Sequence, residues 1–381
     1  MTASFLARLW STGAPIRLTT RDAVIESIEP AEVRGSIDDL EYVAPAFWDL
    51  QTNGREGISF ADPAIDSEQV AWIVREHVKL GEARICPTLI SATESATIAG
   101  LGAIALACRR HADVAAAVLG IHLEGPYLST LDGYRGAHQA EAMRDPTWDE
   151  FERFQAAAEG AIAIVTLAPE REGSIEFIQR LSNAGVVVAL GHTAADDETI
   201  DRAVRAGAKL STHLGNGIAS TLPRHPNPIW IQAGDDRLSA SFIADGDHLD
   251  ASTLRVLMRA KGDDRSITIS DMSPLAGSPP GRYGSWEVTR SGKVIVAGTP
   301  YLAGSCRDQF DALAFMTEIV GVSLENAIRS MTVNPARLLG RPEPKLEPGE
   351  PANLVRFRAI VDSANRRTRV VRSRLTEDQE Y

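Results

Sequence analysis

Glu124, His192, His213 and Asp271 are the residues of this chain whose types and setting point most directly to chemistry. Each stands at the end of a short, apolar, β-branched run: His122-Leu123-Glu124-Gly125-Pro126, Gly191-His192-Thr193, Thr212-His213-Leu214 and Ser270-Asp271. One carboxylate and two imidazoles at a common rim make a three-ligand set with open positions. Hydrolytic zinc sites use that set, and the bound ion lowers the pKa of water from about 15.7 towards about 7. A separate carboxylate, Asp271, can then take up and return protons. A lone His or Glu at a strand end is usually a hydrogen-bonded structural residue. On pattern alone the structural reading therefore stays open beside the metal site, and the decision rests on whether the four strand ends converge.

The elements that must position these residues repeat in a regular rhythm. Eight apolar runs end in polar residues: 43–51, 83–89, 117–124, 161–167, 186–192, 209–213, 238–244 and 266–271. Several are almost continuous, such as Val-Val-Val-Ala-Leu at 186–190, as strands buried on both faces must be. Helical spacing fills 67–80, 95–111, 174–184, 197–206 and 251–260, and the Asp196-Asp197-Glu198 cluster suits a helix start. Alternating strands and helices imply a parallel sheet. Eight of them imply an α/β fold closed as a (β/α)8 TIM barrel. The open doubly wound sheet is the alternative, and polar residues at the C-terminal strand ends favour the barrel.

The barrel is expected over residues 44–342. Short alternating runs near both ends, such as Ile16-Arg17-Leu18 and Ala352-Asn353-Leu354-Val355, predict a small β domain built from residues 1–43 and 343–381 together. Three long stretches, 126–147, 214–237 and 272–304, are rich in Gly and Pro. Loops of that length inside a compact domain are often functional.

Composition narrows the partners. The net charge is −12, from 51 acidic and 39 basic residues, which disfavours nucleic acid and anionic membrane surfaces. A small anionic substrate is still admissible, because local Arg and His dominate within a Debye length of about 8 Å. Cys86, Cys108 and Cys306 show no paired spacing, so reduced thiols are expected. There is no signal-peptide core and no apolar run of about 20 residues, so a cytoplasmic, soluble protein is expected.

The strand-end motifs, together with Thr166-Leu167-Ala168-Pro169-Glu170, Ile243-Ala244-Asp245-Gly246, His248 and Leu302-Ala303-Gly304-Ser305, resemble the N-acetylglucosamine-6-phosphate deacetylase family of the amidohydrolase superfamily. The resemblance runs from Pro45 to Pro335 with the motifs in family order. It implies hydrolysis of the N-acetyl group of N-acetylglucosamine 6-phosphate to glucosamine 6-phosphate and acetate. It implies Glu124, His192 and His213 as ligands of one divalent metal ion per subunit, zinc, with Asp271 as acid/base and His138 polarising the acetyl carbonyl. Asn216, Gly217, His248, Ala303 and Gly304 match substrate contacts. Arg224 matches a phosphate-binding arginine supplied by the neighbouring subunit of a homodimer.

Dull readings accompany these roles. His138 could be an exposed loop residue, and Arg224 could pair with local carboxylates. His122 is read as structural, His225 as a weaker phosphate candidate, and His77 and His111 as surface residues. Many amidohydrolases carry His-x-His on the first strand and bind two metals, whereas this chain has Gln51-Thr52-Asn53. Amides are poor ligands for a transition metal, so one metal is expected, with Gln51 supporting its water. The substrate rim departs from the family. Asn216-Gly217-Ile218 replaces Asn-Ala-Met, Arg224 sits between Pro223 and His225, and Met272-Ser273-Pro274 follows Asp271. An N-acetylgalactosamine 6-phosphate or other N-acyl substrate, or an inactive sugar-phosphate-binding protein, are the alternatives.

Overall fold

The computed structural model describes residues 2–362 and 367–373. The apolar runs form one parallel sheet, each strand hydrogen-bonded to the next in chain order. The strands are β1 (Trp48–Thr52), β2 (Arg84–Ile90), β3 (Ile121–Glu124), β4 (Ile162–Leu167), β5 (Val187–Leu190), β6 (Ala208–Ser211), β7 (Ser239–Ile243) and β8 (Ser266–Ile269). The last strand returns to the first. Asp271 N–H donates to Gln51 O at 2.9 Å, Asn53 N–H donates to Met272 O at 2.9 Å, and Thr52 and Met272 form a parallel bridge. The sheet is thereby closed into the expected barrel. Leu50, Cys86, Ile164, Leu210, Ile243 and Ile269 fill its interior. It is a packed core with chemistry confined to its rim.

Five helices match their predicted spans to within a residue or two: α1 (Ser67–Lys79), α2 (Glu94–Arg110), α3 (Ser174–Asn183), α4 (Asp197–Ala206) and α5 (Ala251–Lys261). In α4 the Asp196 side chain accepts Thr199 N–H at 2.9 Å, capping the first turn. Its buried Ile200, Ala203 and Val204 recur at three- and four-residue steps and face the sheet. Burying each large aliphatic chain contributes about 1.5–3 kcal/mol.

The same periodicity corrects one expectation. His77 lies seven residues after Val70 and three after Val74, on the buried stripe of α1, and is itself fully buried. Its ring meets Thr52 Oγ1 at 3.0 Å and the Glu82 carboxylate, so a polar residue on an apolar face is kept by partners from outside the helix. His111, the C-cap of α2, is partly exposed beside Glu68 at 3.2 Å.

The chain ends form a six-stranded sheet with both termini interleaved. Its order is Arg367–Arg372, Leu354–Asp362, Tyr42–Pro45, Thr2–Leu9, Pro15–Arg21 and Val24–Pro30. Ala7, Ile16, Leu18 and Val43 make its core. The run at 43–51 is therefore two strands in two sheets. Ala46 N–H donates to Asn353 O on the terminal side, while Trp48 N–H donates to Met331 O in the barrel layer. Both halves are buried, and the break leaves no mark in hydropathy. Within 272–304, three short antiparallel strands, Gly281–Tyr283, Trp286–Val288 and Val294–Val296, form a small sheet whose Trp286, Val288, Val294 and Val296 pack with Leu275 and Ala303. Among the described residues, no helix is long and apolar enough to cross a membrane.

Candidate active site

Glu124 closes β3, His192 and His213 follow β5 and β6 by two residues, and Asp271 follows β8 by two. Curling of the sheet brings these ends together. His213 Nε2 lies 3.0 Å from Glu124 Oε1, His192 Nε2 lies 3.1 Å from His213 Nε2, and His192 Nε2 is 3.4 Å from the same Glu124 oxygen. His192, His213 and Asp271 have φ of 50°, 30° and 46°, the left-handed region that side chains rarely occupy. Such conformations cost about 1–3 kcal/mol each and concentrate where surrounding structure aims a functional group. Here each turns its side chain from the strand end towards the barrel axis.

Neighbours set the rings. His192 Nδ1–H donates to Tyr134 O at 2.9 Å, which turns Nε2 towards Glu124. Gly136 (φ +57°) and Gly217 (φ +59°) press on the same ring, and a Cβ would stand 2.9 Å from its Cε1 in the first case and 2.7 Å from its Nδ1 in the second. The His213 backbone N–H donates to Ser241 Oγ at 2.8 Å, while its Nδ1 is buried with no partner among the described residues. Glu170 accepts the Ala194 N–H at 2.7 Å and so braces the turn after His192.

The three donor atoms fit a metal ion. Ligands about 2.0–2.1 Å from a tetrahedral centre stand about 3.3–3.4 Å apart, and the three edges here are 3.0, 3.1 and 3.4 Å. Burial opposes ionisation of Glu124, but hydrogen bonds from His192 and His213 outweigh it and hold this carboxyl well below its ordinary range. Asp271 goes the other way, raised by burial and by the charge of Glu124.

Gln51 ties the two carboxylates together. Its Nε2 donates to Glu124 Oε1 at 3.0 Å and to Asp271 Oδ1 at 3.1 Å. The parallel register of β1 against β2 slips between Asp49 and Thr52, and this bulge turns Gln51 into the site. Asn53, noted in the sequence only as a missing imidazole, donates to Asp271 Oδ1 at 2.8 Å, and its own Oδ1 is buried with no partner among the described residues. His138 is buried. Because the Ser91 N–H can only donate, His138 Nδ1 is the acceptor at 3.3 Å and Nε2 carries the proton, pointing towards Glu124 Oε2 at 3.9 Å. Burial and the neighbouring His192 push its pKa down to about 3, so the ring is neutral. His122 stays out of the cluster, with its ring nitrogens taken by Leu50 O at 3.0 Å and Thr166 Oγ1 at 2.7 Å.

The cluster floors a cleft of about 270 Å³. Asn216, Gly217, His248, Ala303 and Gly304 line it, as do Trp286 and Tyr301, which sequence reasoning missed. Their signal was the long 272–304 stretch, which said where a wall would be and not which side chains would face in. His248 is oriented by its Nδ1 contact with Asp245 Oδ2 at 2.7 Å. Arg224 does not line the cleft of its own chain. It is exposed on the loop after β6, and among the described residues neither it nor its neighbour His225 makes an ion pair and no Arg or Lys lines the cleft.

Comparison with known proteins agrees with this arrangement. A family profile described as the amidohydrolase family matches residues 42–372. The chain is similar to N-acetylgalactosamine-6-phosphate deacetylase of Escherichia coli O157:H7, 33% identical over 343 residues that cover 89% of each chain. It is 35% identical to N-acetylglucosamine-6-phosphate deacetylase of Bos taurus over 312 residues, 78% of this chain and 74% of that one. The crystal structure of N-acetyl-D-glucosamine-6-phosphate deacetylase from Mycobacterium smegmatis superposes with a TM-score of 0.83 at 31% identity, covering 94% of this chain and 95% of that one.

Proposed function

This chain belongs to the amidohydrolase family, and on that premise we propose that it hydrolyses the N-acetyl group of N-acetyl-D-glucosamine 6-phosphate to glucosamine 6-phosphate and acetate. The observation that carries the reading is the convergence of Glu124, His192 and His213 on one point, with Asp271 tied to Glu124 through the Gln51 amide. A second reading, the galactosamine epimer, is favoured by the name of the Escherichia coli relative, which matches over 89% of both chains.

Glu124, His192 and His213 would hold one divalent ion, zinc by the chemistry of two imidazoles and one carboxylate, which would supply water activation and polarisation of the acetyl carbonyl. Asp271 takes the proton of the attacking water and returns it to the departing amine. Gln51 and Asn53 both donate to its Oδ1, which leaves Oδ2 to carry that proton. His138 donates its Nε2–H to the oxygen on which negative charge develops. Gln51 also steers the attacking water. The cleft walls at Asn216, Gly217, His248, Ala303 and Gly304 hold the sugar.

The phosphate needs an Arg or Lys, and among the described residues none lines the cleft of one chain. Arg224 of the partner subunit supplies it in a homodimer. In support, Arg224 is exposed in the single chain, and the large apolar side chains of Leu131 (56% exposed), on the loop after β3, and Trp230 (50% exposed), in the short helix Pro228–Gly234 that follows the Arg224 loop, lie open. A phosphorylated substrate and three free cysteines fit a cytoplasmic setting.

The deciding assay is acetate release by the zinc-loaded enzyme from N-acetylglucosamine 6-phosphate, its galactosamine epimer and unphosphorylated N-acetylglucosamine. Preference for a phosphorylated sugar supports the reading, and the better epimer selects between its two forms. Release from none of them refutes it.

A further inference from the structure

Behind the rim, between the barrel and its helices, lies a fully buried polar cluster that the proposed chemistry does not use: Asp49, Ser270, Thr52, His77 and Glu82. Asp49, His77 and Glu82 are close enough together to ligate a cation. Their acceptors, however, are already taken within the protein. Asp49 Oδ1 accepts the backbone N–H of Gln51 at 3.2 Å and of Ser270 at 3.1 Å, and Oδ2 accepts the Ser270 hydroxyl. Glu82 holds His77 and accepts the Gln309 N–H at 3.1 Å. The cluster is thus built to grip backbone.

What it grips is informative. The Gln51 N–H belongs to the bulge of β1, where the register slips and the Gln51 amide is turned into the site. The Ser270 N–H and hydroxyl belong to the residue before Asp271, whose φ of 46° is left-handed. Ser270 Oγ also accepts the Met272 N–H at 3.1 Å, so it spans the turn that carries Asp271. One buried carboxylate therefore holds two irregular segments, on opposite sides of the barrel seam, and the side chains they project hydrogen-bond to each other at 3.1 Å.

We propose that Asp49, locked by Ser270, is a positioning residue that fixes Asp271 against Gln51 and so aims the carboxylate that moves the proton. The inference rests on the reading of Asp271 as the acid/base. A role limited to holding the seam together would show in stability, whereas a positioning role shows in turnover. Burial and the charge of Glu82 push the Asp49 pKa up to about 7. A carboxylate is an unfavourable choice for a purely structural filler at such a place.

The test compares Ser270→Ala, Ser270→Thr and Asp49→Asn, each zinc-loaded, in kcat, KM, bound zinc and melting temperature, with Asp271→Asn alongside. A displacement of about 1 Å from outside the chemistry can lower a rate by about 100-fold. Ser270→Ala is expected to lose about 10- to 100-fold in kcat, with KM within about twofold of the parent and zinc stoichiometry unchanged. Ser270→Thr, which keeps the hydroxyl, should recover most of the loss. Folded, zinc-loaded Ser270→Ala with parental kcat overturns the proposal, as does a loss that Thr does not relieve. If Ser270→Ala does not fold, the near-isosteric Asp49→Asn is judged by the same kcat criterion. Turnover retained in Asp271→Asn refutes the acid/base reading itself. A dead Asp271→Asn beside a fully active Ser270→Ala refutes only the positioning role.

Discussion

Gly136→Ala probes how tightly the site depends on the placement of one ligand ring. Gly136 has φ +57°, and a Cβ there would stand 2.9 Å from His192 Cε1 and 3.3 Å from Nδ1. Ordinary contact begins near 3.4 Å, so the ring must retreat by about 0.5 Å, where metal–ligand distances are held to about ±0.2 Å. The backbone of Gly217 borders the same ring, since a Cβ added there would lie 2.7 Å from Nδ1. Retreat also strains the bond from Nδ1 to Tyr134 O, now 2.9 Å. Left-handed alanine adds about 1–2 kcal/mol of destabilisation. Disturbing groups that orient a metal ligand lowers affinity by about 10- to 100-fold. We expect a zinc dissociation constant raised by that factor, read by competition with a chromogenic chelator, in a protein that still melts cooperatively at a lower temperature. Parental zinc affinity and parental kcat in Gly136→Ala would show that the ring is not confined as described.

Three further outcomes follow from the geometry. His138→Ala should lower kcat by about 100- to 1,000-fold with a much smaller change in KM, as loss of a donor to a developing oxyanion does, and steady-state kinetics with an intact zinc content checks it. Arg224→Ala should raise KM for the phosphorylated sugar and leave the unphosphorylated one unaffected. Mixing it with inactive Asp271→Asn protein should restore activity through hybrid dimers, and no gain on mixing rules out action across subunits. Asp49 binds its proton more tightly folded than unfolded, since its pKa rises from 3.8 to about 7. Its contribution to stability therefore falls as pH rises from about 4 to about 7. Melting curves of Asp49→Asn should lose part of the parent's decline over that window, and parallel curves would contradict the assignment.

Much of this protein is readable along the chain, because the relevant physics is local. Strands buried on both faces must be apolar throughout, so 161–167 and 186–190 declare themselves. The Asp196 cap and the Ile200–Val204 stripe mark α4 to the residue. Barrel strands all run the same way, so the polar residues that end them share a rim, and Glu124, His192, His213 and Asp271 could be grouped before any distance was known. Other features depend on what lies opposite in space. Hydropathy reads Val43 and Leu50 alike, yet one is in the terminal sheet and the other inside the barrel. His77 looks like a surface histidine until Glu82 and Thr52 are set against it. Asn53 becomes a donor to Asp271 only when β8 closes on β1, 218 residues away in sequence. Trp286 and Tyr301 face the cleft because a small sheet folds over it. Composition and periodicity determine which elements form and which residues end them, since those are contests between each segment and water. Which end groups meet, at 3 Å and in which protonation state, is decided by closure of the barrel, because hydrogen bonds and buried charges respond to neighbours that the chain order does not make adjacent.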